Sequence, residues 1–217
     1  MTLVDLSHTI EPNMPVYPGT QPPLFTEACS FEQDGFIEKK ITMYSHTGTH
    51  IDAPAHMIAG AKTLDQLPAD HFIGKAALLD VTSINRQTIE VRDIEPYRDL
   101  LEDIEFVLLR TDWSERWRTE GYYTGYPVLS RDTALWLGAF RLKGVGIDAI
   151  SVDEPDSRDS PIHKILLRRD MILIENLTNL RTLPDDKFTL CCFPLKIDQA
   201  DGSPVRAIAL FPSGRSY

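Results

Sequence analysis

The chain has 217 residues, 42% hydrophobic and 25% charged, with 22 basic and 32 acidic side chains and a net charge of −10. That length predicts one large domain, and that composition excludes a disordered, collagen-like or disulfide-dense chain. So acidic a chain is a poor binder of nucleic acid or anionic membrane, no apolar run approaches the roughly 20 residues of a membrane helix, and the start Met1-Thr2-Leu3-Val4-Asp5 has no features of a secretory signal.

The first 36 residues read as an extended arm, crowded with Pro12, Pro15, Pro18, Gly19, Pro22 and Pro23. A short strand is expected around 3–10. Met14, Val16, Tyr17, Leu24 and Phe25 are too apolar for a solvated tether, which favours an arm that covers a site or a partner. Alternation over 37–44, with Ile37, Lys39, Ile41 and Met43 on one side, predicts a strand. Short apolar runs predict further strands at 76–81, 106–109, 145–150, 171–174, 188–195 and 205–211, the last two joined through a turn at 201–204. Ser130 caps an expected helix with Leu135, Trp136, Ala139 and Phe140 on one face, closed by Lys143 and Gly144. Ser160-Pro161 opens another, carrying Ile162, Ile165 and Leu166. There is no internal repeat or domain boundary. The fold class is a single α/β domain with a mixed sheet over residues 1–217. Cys29, Cys191 and Cys192 fit neither a disulfide framework nor a zinc ribbon, and read as reduced thiols of a cytoplasmic protein.

Histidine is scarce, yet three of the six fall within residues 46–56, in His46-Thr47-Gly48-Thr49-His50-Ile51-Asp52-Ala53-Pro54-Ala55-His56. Thr47, Thr49 and Ile51 are β-branched, and Gly48 and Pro54 oppose a helix, so the stretch reads as extended. Alternate side chains of an extended chain share a face, which brings His46, His50, Asp52 and His56 together. Burying three imidazoles and an acid is costly without a metal or a dense hydrogen-bond network. Two imidazoles and a carboxylate are ligands for Zn²⁺, Mn²⁺ or Fe²⁺, and three protein ligands leave the open positions of a catalytic site. The other reading is a surface histidine cluster without an ion. His56 then suits proton transfer, with an unperturbed pKa of about 6.5. His163, in the first turns of the helix opened by Ser160, and Glu175, just after an apolar strand, are either ligands or ordinary local residues. His8 and His71 read as structural. Asp148 and Asp153 either orient ligands or cap turns.

Residues 46–56 resemble the H-x-G-T-H-x-D-x-P-x-H signature of the metal-dependent cyclase-like hydrolases, a family that includes bacterial kynurenine formamidases and isatin hydrolases. The resemblance extends over nearly the whole chain. It includes Asp5-Leu6-Ser7, Tyr17-Pro18-Gly19, Leu108-Leu109-Arg110-Thr111-Asp112-Trp113, the G-x-D-x-x-S-x-D run from Gly146 to Asp153, and His163 followed by Ile174-Glu175-Asn176-Leu177. The resemblance implies a swivelling β/β/α domain, usually a homodimer or homotetramer. It implies one divalent ion at His46, His50 and Asp52, and a second held by His163 and Glu175 with Asp52 as bridge, Zn or Mn being expected. It implies that His56 is the proton shuttle of an amide hydrolase driven by metal-activated hydroxide.

The substrate expected by resemblance is N-formylkynurenine or a related aryl formamide, which belongs to tryptophan catabolism. A cyclic amide or lactone of the isatin kind is the alternative, because Tyr17-Pro18-Gly19-Thr20 and Met57 depart from the formamidase pattern where substrate should touch. Tyr17, with Phe25 or Trp113, is the candidate aromatic wall. A non-catalytic metal-binding protein on the same fold is a third reading, and the retention of His56 weighs against it.

Overall fold

The apolar runs of the sequence become the middle of a nine-stranded mixed sheet. The computed structural model describes residues 1–213. Its strands, in chain order, are β1 (Thr2–Asp5), β2 (Leu24–Cys29), β3 (Glu38–Thr42), β4 (His50–Asp52), β5 (Ile73–Asp80), β6 (Thr88–Ile89), β7 (Phe106–Arg110), β8 (Val128–Leu129), β9 (Gly144–Ile147), β10 (Ile172–Glu175), β11 (Phe188–Cys191), β12 (Gly202–Pro204) and β13 (Ile208–Phe211). The helices are α1 (Phe31–Asp34), α2 (Val91–Ile94), α3 (Arg98–Leu101), α4 (Arg131–Leu137) and α5 (Pro161–Leu167). The main sheet runs β1-β13-β11-β5-β7-β9-β10-β4-β12.

β5, β7, β9 and β10 are parallel, and antiparallel strands flank them on both sides. Phe106, Val107, Leu108 and Leu109 of β7 are all fully buried. A parallel strand covered on both faces needs an unbroken apolar run, which is why the run itself marks this strand in the sequence. One face packs against the helices through Val107, Leu109, Val145, Ile147, Leu137 and Leu166. The other face holds a second cluster in which Ile51 of β4 and Ala209 of β13 take part, although these strands lie far apart in the sheet order. Ser7, just after β1, bridges Leu177, just after β10. The sheet therefore curls round that cluster. The chain is a mixed α/β single domain, as expected.

Several expected elements differ in detail. The arm is not simply extended: β1 joins the main sheet, and β2 and β3 form a hairpin around α1. The helix expected from Ser130, which is α4, ends at Gly138, six residues before Gly144, because Ala139 and Phe140 donate to Trp136 and Leu137 in tighter three-residue turns. Its buried face is Thr133, Ala134 and Leu137, and Leu135 is 46% exposed. Gly144 instead begins β9. The expected turn at 201–204 is mostly strand: Gly202–Pro204 pairs with β4. Ser160 does not cap α5 with its side chain; the Asp153 carboxylate accepts from the Ile162 and His163 amides, both at 2.9 Å.

Candidate metal centre

His50 and Asp52 stand two residues apart on β4, so strand alternation sends both to one face while Ile51 between them enters the core. Glu175 arrives from β10 in register with His50. α5 contributes His163. His46 comes by another route than the expected alternation. The chain turns at Gly48, whose φ of 67° is natural to glycine, and brings the His46 ring against Asp52. Pro54 opens a 3₁₀ turn, Pro54–His56, that lifts His56 beside His46 with ring centres 4.0 Å apart. The extended reading of residues 46–56 thus holds as strand only over His50–Asp52.

The resulting distances are short. His46 Nδ1 lies 2.6 Å from Asp52 Oδ1, and His50 Nε2 lies 3.3 Å from the same oxygen. His50 Nε2 is 3.6 Å from Glu175 Oε2. His163 Nε2 is 3.4 Å from Asp52 Oδ2 and 3.3 Å from Glu175 Oε1. The far nitrogen of each ring is also engaged. His50 Nδ1 donates to the Gly48 carbonyl at 2.8 Å, His163 Nδ1 to Asp153 at 2.6 Å, and His46 Nε2 to Asp201 at 3.0 Å. Imidazoles that hold a metal are oriented through their second nitrogen in this way.

Asp52 and Glu175 are both buried. Asp52 Oδ2 and Glu175 Oε1 accept no hydrogen bond, despite His163 Nε2 nearby. Burial opposes charge on Asp52, but the surrounding His163, His46 and His50 rings hold its carboxyl well below the usual range. Burial and the Asp52 charge push Glu175 up. Two buried acids with orphaned oxygens among imidazoles are short of positive charge, which a divalent cation supplies. The donor set suits Zn²⁺, Mn²⁺ or Fe²⁺. Ligand atoms of His50, Asp52 and Glu175 lie within 4.8 Å of one another, as do those of His46, Asp52 and His56. His56 therefore sits in ligand range of His46 and Asp52 as well as on the cavity wall. Burial lowers its pKa, keeping the ring neutral.

A cavity of about 290 Å³ opens above this cluster. Tyr17, Val16, Met57 and Ile150 are among its walls, and His46, His50, Asp52, His56, His163 and Glu175 all reach it. Tyr17 is 44% exposed, with its hydroxyl 3.5 Å from the Pro155 carbonyl. Trp113 is not an aromatic wall: it is buried in the core and donates its indole N–H to the Tyr122 carbonyl. Phe25 is paired with Ile41 in the hairpin and does not line the cavity. Asp148 turns away to accept from Thr111, whereas Asp153 both caps α5 and holds His163. In the sequence Asp201 reads only as part of a turn, and Asn176 stands in the segment 174–177 without a role of its own. Asp201 meets His46 across 155 positions, a pairing no local spacing reveals. Gly202 beside it has a steric reason: a Cβ there would lie 2.5 Å from His46 Cε1.

A curled mixed sheet carrying a buried His–Asp–Glu cluster under a cavity makes this an α/β domain with a candidate metal-binding site. Compared with known proteins, the chain matches the Cyclase family model over residues 4–154, which include His46 to His56 and stop short of His163 and Glu175. It is 33% identical over 206 residues to a Bacillus cereus protein named kynurenine formamidase, covering 94% of this chain and 95% of that one. Isatin hydrolase A from Labrenzia aggregata, solved with benzyl benzoate, superposes with a TM-score of 0.87 at 26% identity, over 96% of this chain and 93% of that chain. A structure described as a predicted metal-dependent hydrolase from Bacillus stearothermophilus gives a TM-score of 0.79 at 31% identity, over 96% and 97% of the two chains. The chain belongs to the Cyclase family.

Proposed function

We propose that this chain is a metal-dependent amide hydrolase of the arylformamidase type, acting on N-formylkynurenine or a related aryl formamide. The observation that carries the reading is the pair of buried carboxylates, each with an orphaned oxygen, ringed by imidazoles at the floor of an open cavity. The kynurenine formamidase relatives support the substrate class.

We assign His46, His50 and Asp52 to one divalent ion, Zn or Mn, and His163 and Glu175 to a second that shares Asp52. Such ions supply Lewis acidity toward a carbonyl oxygen and water of near-neutral pKa. The protein's own residues do the rest. Gly48, Asp153 and Asp201 take the outer ring protons and so turn a bare nitrogen inward on His50, His163 and His46. His56 presents Nδ1 to Asp201 at 3.5 Å, which leaves Nε2 to accept a proton from the attacking water. As the C–O bond forms and the C–N bond breaks, the same Nε2 returns that proton to the leaving nitrogen, releasing an acid and an amine. Tyr17, Met57 and Ile150 give the aryl ring an apolar wall.

The isatin hydrolase superposition favours a second reading, ring opening of a cyclic amide. Side-by-side assays on N-formylkynurenine and isatin separate the two. Chelator-sensitive release of kynurenine as the faster reaction is expected. Faster opening of isatin would assign the cyclic substrate instead, and turnover of neither would overturn the substrate class.

We further propose a homodimer or homotetramer. The support is the β2–β3 hairpin, where Leu24, Phe36, Ile37 and Ile41 are each more than half exposed. A bare two-stranded hairpin is marginal in water, and partner contacts would cover these side chains. Light scattering on the eluted protein tests this, and a monomer would refute it. A cytoplasmic place in tryptophan catabolism fits the three free cysteines and the relatives. Among the described residues no helix is long and apolar enough to cross a membrane.

A further inference from the structure

Behind the metal-type cluster runs a buried chain of hydrogen bonds that ends on His50. Tyr122, fully buried, donates its hydroxyl to Asn176 Oδ1 at 2.6 Å. Asn176 Nδ2 then donates to the Gly48 carbonyl at 2.9 Å. The same carbonyl accepts from His50 Nδ1 at 2.8 Å. Its two lone pairs are therefore both used, one by each donor.

The pieces are fixed from other sides too. Asn176 directly follows Glu175 and takes φ 56°, a left-handed turn that asparagine tolerates. Its amide donates to the Ala149 carbonyl, and its own carbonyl accepts from Thr49 Oγ1 at 2.6 Å. Tyr122 packs edge-on against Trp117, which stacks on His8 with ring centres 3.9 Å apart. The orientation of the Asn176 amide follows from its partners: only the NH₂ can face a carbonyl, so the oxygen must face the phenol.

We propose that Asn176 and Tyr122 are positioning residues for His50: they clamp the Gly48 carbonyl where it holds the His50 ring with Nδ1 protonated and Nε2 bare toward Asp52 and Glu175. Without the clamp, the Gly48 turn has one fewer anchor, and the ring gains the alternative of donating from Nε2 to either acid. The consequence for metal affinity rests on the hydrolase reading above; the tautomer does not.

The experiment uses Asn176→Gly, which suits φ 56° and deletes only the side chain, and Tyr122→Phe, which removes one oxygen and keeps the packing. Long-range imidazole ¹⁵N–¹H spectra of metal-free protein, with the His50 signals identified by their absence in His50→Gln, report the tautomer. Wild type should show Nδ1–H on His50, and both variants a shift toward Nε2–H. In parallel, Zn²⁺ affinity is measured by competition with a chromogenic chelator. Asn176→Gly should weaken it by roughly 10-fold, the low end of what losing a ligand histidine's own partner costs, because the Gly48 carbonyl itself stays. Tyr122→Phe should weaken it less. Unchanged His50 tautomer in both variants overturns the clamp, as does Zn²⁺ affinity within twofold of a wild type that binds tightly. Raised KM with neither change would make Asn176 a substrate contact instead, also against the proposal. If wild type took up no Zn²⁺ while the tautomer shifted as stated, the metal reading would fail and the clamp would stand.

Discussion

Asp153 holds His163 twice, with Oδ2 accepting from its amide at 2.9 Å and from its ring Nδ1 at 2.6 Å, so one carboxylate both starts α5 and aims its histidine. Asp153→Ala removes both. A lost cap costs about 1 kcal/mol. A lost orienting partner costs roughly 10–100-fold in metal affinity. Calorimetry and chelator competition should show both losses together. A variant that is less stable but binds metal as wild type would reduce Asp153 to a cap.

His56 is placed both to carry a proton and to touch a metal. As the proton carrier, His56→Ala should lower kcat by about 10²–10⁴-fold. Metal content, read by elemental analysis, should stay at the wild-type value. Loss of an ion in this variant would make His56 a ligand.

Gly202 has no room for a side chain, because the His46 ring occupies the space a Cβ would take. Gly202→Ala should push that ring off Asp52 and Asp201. The expected result is a folded protein with weakened metal uptake and little turnover. Wild-type metal affinity in Gly202→Ala would show that His46 moves aside without cost.

His8 gives stability a pH dependence outside the site. Burial, with the Arg118 charge as a lesser cause, lowers its pKa to about 4, while the unfolded chain titrates near 6.5. The unfolded state binds the proton first, so this contribution is complete above pH 6.5 and is lost as pH falls toward 4. Its size is at most roughly 3 kcal/mol. His8→Phe keeps a ring on Trp117 but cannot titrate. Urea melts of the two proteins at pH 7.5 and 4.5 should show a smaller loss in the variant. Equal losses would show that His8 does not set the acid sensitivity.

What the sequence revealed follows the reach of local rules. β7 was legible because a strand buried on both faces is an unbroken apolar run. His50 and Asp52 were legible because two residues is the period of a strand. His46 and His56 belong to the same motif, yet they reach the cluster through the Gly48 turn and the Pro54 turn, not through alternation. The end of α4 was misplaced because apolar residues continue past Gly138, where the backbone tightens. Ser160 looked like the cap of α5, but the carboxylate of Asp153 outcompetes it from a preceding loop. The Asp201–His46 contact and the Tyr122–Asn176 chain lay beyond reading, since each joins residues far apart in the sequence that meet only in the folded chain.

If the proposed function is right, this cluster hydrolyses amides only with metal bound. Metal-free protein should be titrated with Zn²⁺ or Mn²⁺ while kynurenine release from N-formylkynurenine is followed. No turnover is expected at the start, then a rise in proportion to bound metal and a plateau at one or two ions per chain. Full turnover by the metal-free protein, unchanged as metal is added, would contradict it.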